Sequence, residues 1–527
     1  MATTLSFKDI IDLPQWRTLA NSITATAAGS CLCGDSRNDA SRDPFLYLLI
    51  NATTFQRYNV LNDEWQTLTS PALAGTFGAG ASSVFVASAG PSGTLATGAT
   101  TTSVVLSTAL PAAVGVNQLA NNGSGVGYKI RIIGNATGSS GKTEEKYIIG
   151  NTAGTTPTIY LDSALTFTPI AGDRYEILSG RVMLMSAGTL AAGIVKAYDI
   201  ATNSYVTVTQ TNLPATISTD SENIVLDELF VPSTRNPGEG FFGNLVASAS
   251  SSTSITGQAS GGDAGVLANE YRNFQIRIVQ DTTTPTAVGQ RRIISSHTAG
   301  PSPIYTVPTW TVTPSATATF VIENNNDILL SSSASTTMYS YRMGGFTADG
   351  TWSYTGTVGT NGALAYAVRP AASGAGTNAL PSWGLTLDSA KLARHSYIYW
   401  FRGGASNTLD LLDIAGASGT GAWTAAIAYG GSTAATTFTT GTGSCYDGAT
   451  NTGKYGYINV NATQRFLRFD VLNRVLEPWA YLPYAQNTAT IGEKIATSLF
   501  IDGTTKLAFL YAIQSTGTVF WNCAIQR

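Results

Sequence analysis

The sequence predicts an all-β protein, and three observations support this fold class. The apolar residues form short alternating runs of strand length, such as YKIRII at residues 128–133, bounded by Gly, Asn and Pro. The 527 residues include 54 Gly together with 23 Tyr, 19 Phe and 9 Trp, a combination that suits strands and turns and that disordered chains lack. The longest apolar runs, such as residues 45–50, are far shorter than a membrane-spanning helix. A chain of this length is expected to form more than one domain.

The charge pattern argues against a nucleic-acid partner, and the N-terminal sequence argues against secretion and membrane insertion. Charged residues make up 12% of the chain, about half of the roughly 25% usual in soluble proteins, and the net charge is −3. The sequence has no run or stripe of Lys and Arg, so we predict no nucleic-acid-specific site. The first residues lack the basic segment and the apolar stretch of a signal peptide, so we also predict no secretion signal and no membrane insertion.

An internal repeat is the clearest feature of the chain's organisation. The segment YKIRII at 128–133 recurs as FQIRIV at 274–279, and NTAG at 151–154 recurs as HTAG at 297–300, both with an offset of 146 residues. Two further matches pair residues 167–177 with 312–322, and the tripeptide LAN at 119–121 with LAN at 267–269. Repeats of this kind mark copies of one structural unit. We therefore predict two homologous small β-domains, each a sandwich or a barrel, at residues 92–180 and 244–326.

A second, looser repeat occupies the rest of the chain. Each unit has an apolar strand, an aromatic-flanked strand, a polar turn and a strand that carries Trp or Tyr. Five full units lie at residues 45–68, 181–208, 327–355, 396–426 and 455–482. A sixth, at residues 507–526, lacks its last strand, and the N-terminal segment 14–20 supplies a candidate, because Trp16 matches the aromatic position of the other units.

These units predict a six-bladed β-propeller that is closed by the N-terminal strand and carries two inserted β-domains. In this prediction residues 1–91 hold the closing strand and the first blade, and residues 181–243 hold another blade. Residues 327–527 hold the remaining blades and the C-terminal closing blade. The same strand periodicity would also allow a string of separate β-sandwiches.

The motif Tyr-x-Val/Ile followed by a turn and Trp or Tyr resembles the Kelch type of propeller blade. It occurs from Tyr58 to Trp65 and from Tyr198 to Tyr205. The Gly-Gly doublet usual in Kelch repeats occurs within these units only at Gly344-Gly345 and Gly403-Gly404. The resemblance therefore implies propeller geometry rather than membership of the Kelch family.

The residues that carry most enzyme chemistry are scarce. The two histidines are His297, which stands in a repeat loop where the other copy has Asn151, and His395, which begins a predicted strand with no Ser or Cys nucleophile motif nearby. We interpret both as structural residues rather than catalytic bases. The cysteines fit neither a redox pair nor a zinc site and are predicted to be free thiols; they are Cys31, Cys33, Cys445 and Cys523.

A glycosidase of the sialidase type is the enzyme class that a propeller would most readily host. The segment TADGTW at 347–352 resembles a shortened Asp-box turn of sialidase propellers, but such turns are structural. A sialidase also needs three arginines that grip its substrate, and no spacing singles out three among Arg342, Arg369, Arg394 and Arg402. A pair of catalytic carboxylates is not excluded by the sequence. Our prediction is that the chain is not an enzyme and has no catalytic residues.

The sequence also offers no clear metal or phosphate site. The acidic candidates for calcium are Asp162 and the run ENNND at 323–327, and neither has the D-x-D-x-D-G pattern. The Gly-rich stretch 121–127 lacks the Lys-Ser/Thr and the helix that phosphate binding requires. We therefore predict turns at these positions, no metal ligands and no cofactors.

A resemblance to virion proteins supplies the functional prediction. The segment GNTAGTTPTIYLDSALTFTP at 150–169 is similar to segments that recur in structural proteins of tailed bacteriophages. A propeller with inserted β-domains also resembles the nozzle proteins of short-tailed phages. These resemblances imply a non-enzymatic, homo-oligomeric component of the tail, at the nozzle or tail tip, that assembles in the host cytoplasm into the virion. Its partners would be copies of itself and neighbouring portal, adaptor or other tail proteins.

Two alternatives stay open at this point. A low-charge surface also suits a capsid-decorating protein, because interface cores are depleted in charge. A carbohydrate-binding propeller that attaches to a host surface glycan is the other alternative, with the aromatic segment SYIYWFRGG at 396–404 as stacking platforms. The competing interpretation of that segment is that its side chains fill the space between blades.

Overall fold

The computed structural model describes residues 15–525 with internal gaps. The gaps are residues 28, 37–41, 51–53, 69–76, 78–80, 112–113, 124, 135–141, 186–187, 190–194, 207, 218–221, 226–240, 273, 324–325, 333, 344–350, 360–362, 373, 375, 383–396, 405, 435, 440, 447–454, 461–462, 484–494, 503–504 and 515. Within the described residues, strands dominate and the only α-helix is the single turn α1 (Gly416–Gly419), so the predicted all-β class is confirmed. Two 3₁₀ turns lie at Gln118–Ala120 and Pro285–Ala287.

The strands are numbered in chain order. The first eighteen are β1 (Trp16–Thr18), β2 (Cys31–Gly34), β3 (Phe45–Leu49), β4 (Phe55–Asn59), β5 (Glu64–Leu68), β6 (Ser82–Val86), β7 (Ser92–Thr94), β8 (Ser103–Val105), β9 (Lys129–Ile133), β10 (Thr143–Asn151), β11 (Thr158–Leu161), β12 (Arg174–Leu178), β13 (Arg181–Met185), β14 (Gly188–Thr189), β15 (Val195–Asp199), β16 (Ser204–Val206), β17 (Thr216–Ile217) and β18 (Glu222–Val225). The others are β19 (Phe241–Ser251), β20 (Ser254–Gly257), β21 (Gln275–Gln280), β22 (Arg291–Ile293), β23 (Ser296–His297), β24 (Ile304–Thr306), β25 (Thr319–Glu323), β26 (Asp327–Ser331), β27 (Met338–Arg342), β28 (Asn378–Ser382), β29 (Tyr397–Phe401), β30 (Thr408–Asp413), β31 (Ala422–Ala428), β32 (Gly443–Tyr446), β33 (Tyr455–Asn459), β34 (Arg465–Asp470), β35 (Val475–Tyr481), β36 (Ile495–Asp502), β37 (Thr505–Ile513) and β38 (Phe520–Ala524).

Six small antiparallel sheets are built from the looser sequence repeat. Their strand orders are β2-β3-β4-β5, β6-β13-β15-β16, β18-β26-β27, β28-β29-β30-β31, β32-β33-β34-β35 and β36-β37-β38-β1. The third sheet is extended by a bridge between Ser340 and Ser353. The repeat units in the sequence begin at the second strand of each sheet, because first strands such as Cys31–Gly34 and Glu222–Val225 are short and do not carry the recurring aromatic pattern.

The first strands of these six sheets contact one another in a circular order. Strand β2 contacts β6, β6 contacts β18, β18 contacts β28, β28 contacts β32, β32 contacts β36, and β36 contacts β2. An apolar cluster lies between each successive pair of sheets, including the sixth and the first. Each sheet therefore buries both of its faces against neighbouring sheets.

The N-terminal strand belongs to the sixth sheet. Trp16 lies opposite Cys523, so β1 covers the outer edge of β38. The indole of Trp16 also packs against the fifth sheet, with ring centroids 5.1 Å from Phe466 and 6.3 Å from Trp479. Strand β1 thus pairs with the last strand of the sixth sheet and also packs against the fifth sheet.

Two tryptophans at the outer strands bond to the chain segment that leads away from the preceding sheet. The indole Nε1 of Trp65 donates to the Ala20 carbonyl at 2.9 Å, and Trp352 donates to Thr209 at 2.9 Å. These bonds satisfy a polar atom inside an apolar contact, which is the usual requirement for a buried Trp. Trp479 differs from the other outer-strand aromatics, because it packs toward the next sheet.

Each of the two long repeats forms a closed β-barrel. Barrel 1 has the order β7-β12-β9-β10-β11-β8, and a bridge between Leu95 and Leu106 joins its two ends. Barrel 2 has the order β22-β21-β25-β19-β20-β24-β23, in which β22 and β23 are the two halves of the strand that corresponds to β10. Barrel 1 is inserted between the first and second strands of the second sheet, and barrel 2 at the same place in the third sheet.

The structure corrects one of the sequence matches between the repeats. Asn117 and Asn269 both have left-handed backbone, with φ of 59° and 60°, and each bonds to the end of the following long strand. The residue two positions on is Leu119 in barrel 1 and Tyr271 in barrel 2. The LAN match, which paired Leu119 with Leu267, was therefore wrong. Leu119 is buried whereas Leu267 is 55% exposed, because the conformation of the Asn and not the tripeptide sets the equivalence.

Candidate functional site

Three of the four arginines that were candidates for a substrate-gripping triad are bound to carboxylates of the sheets. Arg342 contacts Asp327 at 2.7 Å, and Arg402 contacts Asp410 at 2.6 Å. Arg369 is buried beside the same Asp410, at 3.5 Å, and burial lowers its pKa to about 10. The structure thus brings Arg369 and Arg402 together around one carboxylate, not around an open cleft. Arg394 and residues 347–350 of the Asp-box-like turn lie outside the described residues.

The aromatic segment proposed as a sugar platform is buried. In β29 the side chains of Ile398, Tyr399, Trp400 and Phe401 are at most 5% exposed. Phe401 packs edge-on against Phe469 of the next sheet with centroids 5.1 Å apart. These four side chains therefore fill the space between sheets and present no stacking face for a glycan.

His297 acts as a structural hydrogen-bond acceptor. Its Nε2 accepts the backbone N–H of Tyr271 at 2.8 Å, and its Nδ1 lies 2.9 Å from the Thr298 carbonyl. In barrel 1 the Oδ1 of Asn151 accepts the N–H of Leu119 at 3.0 Å in the same way. Burial lowers the pKa of His297, which keeps the imidazole neutral. His395 lies outside the described residues.

Barrel 2 is therefore expected to lose stability in mild acid. Because the folded-state pKa of His297 lies below its unfolded value of about 6.5, this residue's contribution is full above that pH and is lost as the pH falls below it. The variant His297→Asn copies the residue of barrel 1. Melting curves between pH 7.5 and about pH 5 should show a smaller fall in melting temperature for the variant than for the wild type. Equal slopes would contradict this role.

The other residues noted in the sequence are also structural. Cys31, Cys33 and Cys523 are buried, Cys445 is half-buried, and none of the four forms a disulfide within the described residues. Burial raises the pKa of Cys523 to about 12. The loop residues accept backbone hydrogen bonds: Asp162 accepts the N–H of Tyr147 on the neighbouring strand β10 at 2.9 Å, and Asn121 accepts that of Gly123 in its own turn at 2.8 Å. No group of three or more His, Cys, Asp or Glu in the described ranges is placed to hold a metal ion.

A narrow polar cavity lies where the first strands of the six sheets meet. It has a volume of about 50 Å³ and is lined by residues of all six strands. The side chains of Ser83 and Asn223 face it and make no hydrogen bond within the described protein. Sites for drug-sized molecules are several hundred Å³. This cavity therefore suits a few water molecules and is too small for a sugar chain or a nucleic-acid strand.

Among the described residues, a heavily charged site joins the outer faces of the two barrels. On β9, Arg131 lies between Glu145 of β10 and Glu176 of β12, which its guanidinium contacts at 2.6 and 3.0 Å. The same guanidinium reaches Glu323 of barrel 2 at 3.2 Å. Glu323 in turn contacts Arg277 at 3.0 Å. We call this set, with Arg291, the charged junction.

Charge balance explains how six ionisable groups are tolerated in one buried site. The charged junction contains three arginines and three glutamates, namely Arg131, Arg277, Arg291, Glu145, Glu176 and Glu323. Burial alone would raise the pKa of Glu323, but Arg277, Arg291 and Arg131 lower it to about 2. Burial lowers the pKa of Arg291 to about 10, so it stays charged near neutral pH. Every member therefore has an oppositely charged partner within 4.0 Å in the junction.

Equivalent positions of the barrels meet at this junction. Arg131 and Arg277 occupy the same position in the two copies, and so do Ile133 and Val279, which pack together with Val321. Contact between equivalent residues is the sign of a two-fold type of pairing. Glu145 of barrel 1 is replaced by Arg291 in barrel 2, a reversal of charge at one repeat position. That reversal was visible in the sequence and was the signal for this site, which the sequence analysis did not identify.

A second buried ionisable group, the carboxyl of Asp43, lies where barrel 1 contacts the first sheet. Asp43 is 2% exposed, accepts the N–H of Phe45 at 2.8 Å and lies 3.1 Å from the Tyr47 hydroxyl. Barrel 1 reaches this segment through Asn122, whose Nδ2 donates to the Arg42 carbonyl at 2.8 Å. Burial, with a smaller effect from Asp35, raises the pKa of Asp43 to about 7.

Replacing this carboxyl with an amide is expected to stabilise the protein at alkaline pH. Because the folded-state pKa of Asp43 is raised, its contribution to stability is present below the unfolded pKa of about 4 and is lost as the pH rises through about 7. Asp43→Asn keeps the acceptor for Phe45. Its melting temperature should exceed that of the wild type at pH 8 and equal it near pH 4. A lower value at pH 8 would show that the carboxylate is favourable there.

Within the described residues, no helix has the length and hydropathy needed to span a membrane.

The comparisons with known proteins give no family. No protein-family model and no curated protein matches the sequence. Among solved structures, the chain is similar to a protein of unknown function from Bacteroides thetaiotaomicron at 11% identity and a TM-score of 0.19, covering 83% of this chain and 98% of the other. The chain is also similar to NanB sialidase from Streptococcus pneumoniae, at 8% identity and a TM-score of 0.21, covering 97% of this chain and 94% of the sialidase. The similarity to the endosialidase of phage phi92 is at 9% identity and a TM-score of 0.17, covering 100% of this chain and 60% of the endosialidase. TM-scores this low carry no argument about fold or activity.

Proposed function

We propose that this chain is a non-enzymatic structural subunit of a tailed-phage particle, built on a closed six-bladed β-propeller. The circular order of first-strand contacts supports the propeller, as do the six apolar clusters between sheets and the placement of β1 in the sixth sheet. Closing the last blade with a strand from the other terminus removes the seam at which a ring can open. The two barrels are then insertions in corresponding loops of adjacent blades.

The placement of charge is the observation that carries the structural role. The ion pairs Arg342–Asp327, Arg369–Asp410 and Arg131–Glu323 are all buried. Of the ion pairs in the described ranges, Arg468–Glu477 is the one in which both side chains are at least 31% exposed. Since only 12% of the residues are charged and many of those in the described ranges are internal, we expect a surface that is poor in charge. Such a surface suits permanent contacts with copies of the chain and with neighbouring virion proteins.

Within the particle we propose a tail position, at the nozzle or tail tip. The proposal rests on the likeness of residues 150–169 to tailed-phage structural proteins and on the combination of a ring of sheets with paired side barrels. Copies of the chain would form a closed ring between the portal or adaptor and the other tail proteins.

Immunogold electron microscopy tests the location. Antibody raised against the recombinant chain would be applied to intact particles of the phage that encodes it. Gold at the tail is the expected result, with a ring-sized oligomer of the recombinant protein by light scattering. Gold over the head would replace the tail assignment with capsid decoration. Unlabelled particles, together with binding on a glycan array, would replace it with a carbohydrate-binding role.

A separate assay tests the absence of enzymatic activity. The purified chain would be incubated with a fluorogenic sialoside and with polysialic acid, beside a known sialidase as a positive control. No hydrolysis is expected, because Arg342, Arg369 and Arg402 are each bound to a carboxylate of a sheet. Turnover that is lost in the variant Arg402→Ala would overturn the non-enzymatic assignment.

A further inference from the structure

A small cavity lies in the charged junction where both barrels meet the third sheet. Its volume is about 20 Å³. Its lining comes from Arg131 and Glu176 of barrel 1, from Gln275, Arg291 and Glu323 of barrel 2, and from the connecting residues Ser88 and Asn326. A cavity needs roughly 10–15 Å³ to admit one water molecule. The space is therefore right for one small molecule and no more.

Three polar groups of the lining are not satisfied by direct bonds across the cavity. Glu176 is 5% exposed and Asn326 is 6% exposed, and neither Glu176 Oε1 nor Asn326 Oδ1 has a hydrogen-bond partner in the described protein. The Nδ2 of Asn326 donates to the Met343 carbonyl at 3.0 Å, which fixes the amide so that its oxygen is the atom left over. Leaving two buried acceptors without donors is unfavourable, because each has given up its hydrogen bonds to bulk water.

The third group is the guanidinium of Arg291. Its nearest carboxylate atoms are Glu323 Oε1 at 3.6 Å and Glu176 Oε1 at 4.0 Å. Both distances exceed those of a direct hydrogen bond, and such a spacing is typical of groups bridged by water. A molecule in the cavity that donates to Glu176 and Asn326 and accepts from Arg291 would satisfy all three groups.

The charges around the cavity select a neutral occupant. Two arginines, Arg131 and Arg291, face two glutamates, Glu176 and Glu323. An anion would lie against the carboxylates, and a cation would lie against the guanidiniums, so either ion would be repelled by half of the lining. We propose that this cavity binds a single structural water molecule that completes the hydrogen bonding between the two barrels and Asn326 at the start of the third sheet's second strand.

Crystal structures of the full chain test this site. At about 1.8 Å resolution or better, we expect one peak within about 2.6–3.2 Å of Glu176 Oε1, Asn326 Oδ1 and the Arg291 guanidinium. A crystal soaked in bromide is expected to show no anomalous peak there. A bromide peak, or a cavity without any peak, would overturn the assignment.

Two variants separate the site from general damage to the fold. Glu176→Gln keeps an oxygen acceptor and is expected to retain the peak. Glu176→Val carries the residue that barrel 2 has at the equivalent position, Val321, and is expected to lose it. Its melting temperature should fall by several degrees, whereas Glu477→Val, at an exposed ion pair, should shift little. A peak that persists in Glu176→Val would contradict the proposed anchoring.

Discussion

Deletion of residues 1–18, which removes β1, is expected to cause the largest loss of stability of any change considered. The deletion exposes the backbone groups of β38 along its outer edge and removes Trp16 from its contacts with Phe466 and Trp479. Losing a packed Trp costs about 3 kcal/mol, and each lost backbone hydrogen bond about 1 kcal/mol. The expected total is roughly 3–6 kcal/mol. Calorimetry should show a much lower melting temperature, and the exposed edge should promote association.

Deletion of residues 1–13 is the matched control, because the shortened chain still contains β1. That control should melt close to the full chain. A synthetic peptide with the sequence of residues 14–20 is expected to restore part of the stability of the deletion variant, since a separate strand can add to an exposed sheet edge. If the deletion and its control melt at the same temperature, β1 does not hold the sixth sheet to the fifth.

Removal of the Glu323 charge is expected to be the most damaging single substitution in the barrels. Glu323→Gln leaves Arg131, Arg277 and Arg291 facing only two carboxylates in a site where Glu323 itself is 2% exposed. Breaking a buried ion pair from one side costs about 3–5 kcal/mol, because the remaining charges stay desolvated. Thermal unfolding of the variant should show an early transition of the barrels. Glu477→Gln, at the exposed pair with Arg468, should change stability by at most about 0.5 kcal/mol.

The lowered pKa of Glu323 predicts that the protein loses stability in acid. The pKa of Glu323 is lowered to about 2 in the folded protein against 4.5 for an ordinary Glu. Its contribution is therefore present above about pH 4.5 and is lost as the pH falls toward 2. The melting temperatures of the wild type and of Glu323→Gln should converge over that window. A difference that stays constant down to pH 2 would place the effect of the substitution in packing rather than in charge.

The loosely repeated units show how far local pattern carries a prediction. Strand periodicity and the recurring aromatic positions identified the strands that follow the first one in each sheet, because these signals lie within about 30 residues of one another. The aromatic match also identified the Trp16 segment. The first strands were missed. Segments such as CLCG at β2 and GSCY at β32 carry small residues, which fit where six strands converge but give no amphipathic pattern.

The functional predictions show the opposite limit. The sequence allowed two interpretations of the segment at 396–404, namely stacking on sugars and filling of the space between blades. The burial of Tyr399, Trp400 and Phe401 in the structure favours the second interpretation. The arginines likewise had no assigned partners until the structure placed Arg369 and Arg402 on Asp410.

By itself the sequence determined the all-β class and the presence of two copies of one module, since both are written in periodicity and in matches at a constant offset. The tertiary structure alone decided how those modules are used. Arg131 and Glu323 are 192 residues apart and meet only because their barrels are inserted in corresponding loops of adjacent sheets. Charge pairing acts through space and not along the chain, so a residue's partners, burial and pKa become defined only when the sheets have closed around it.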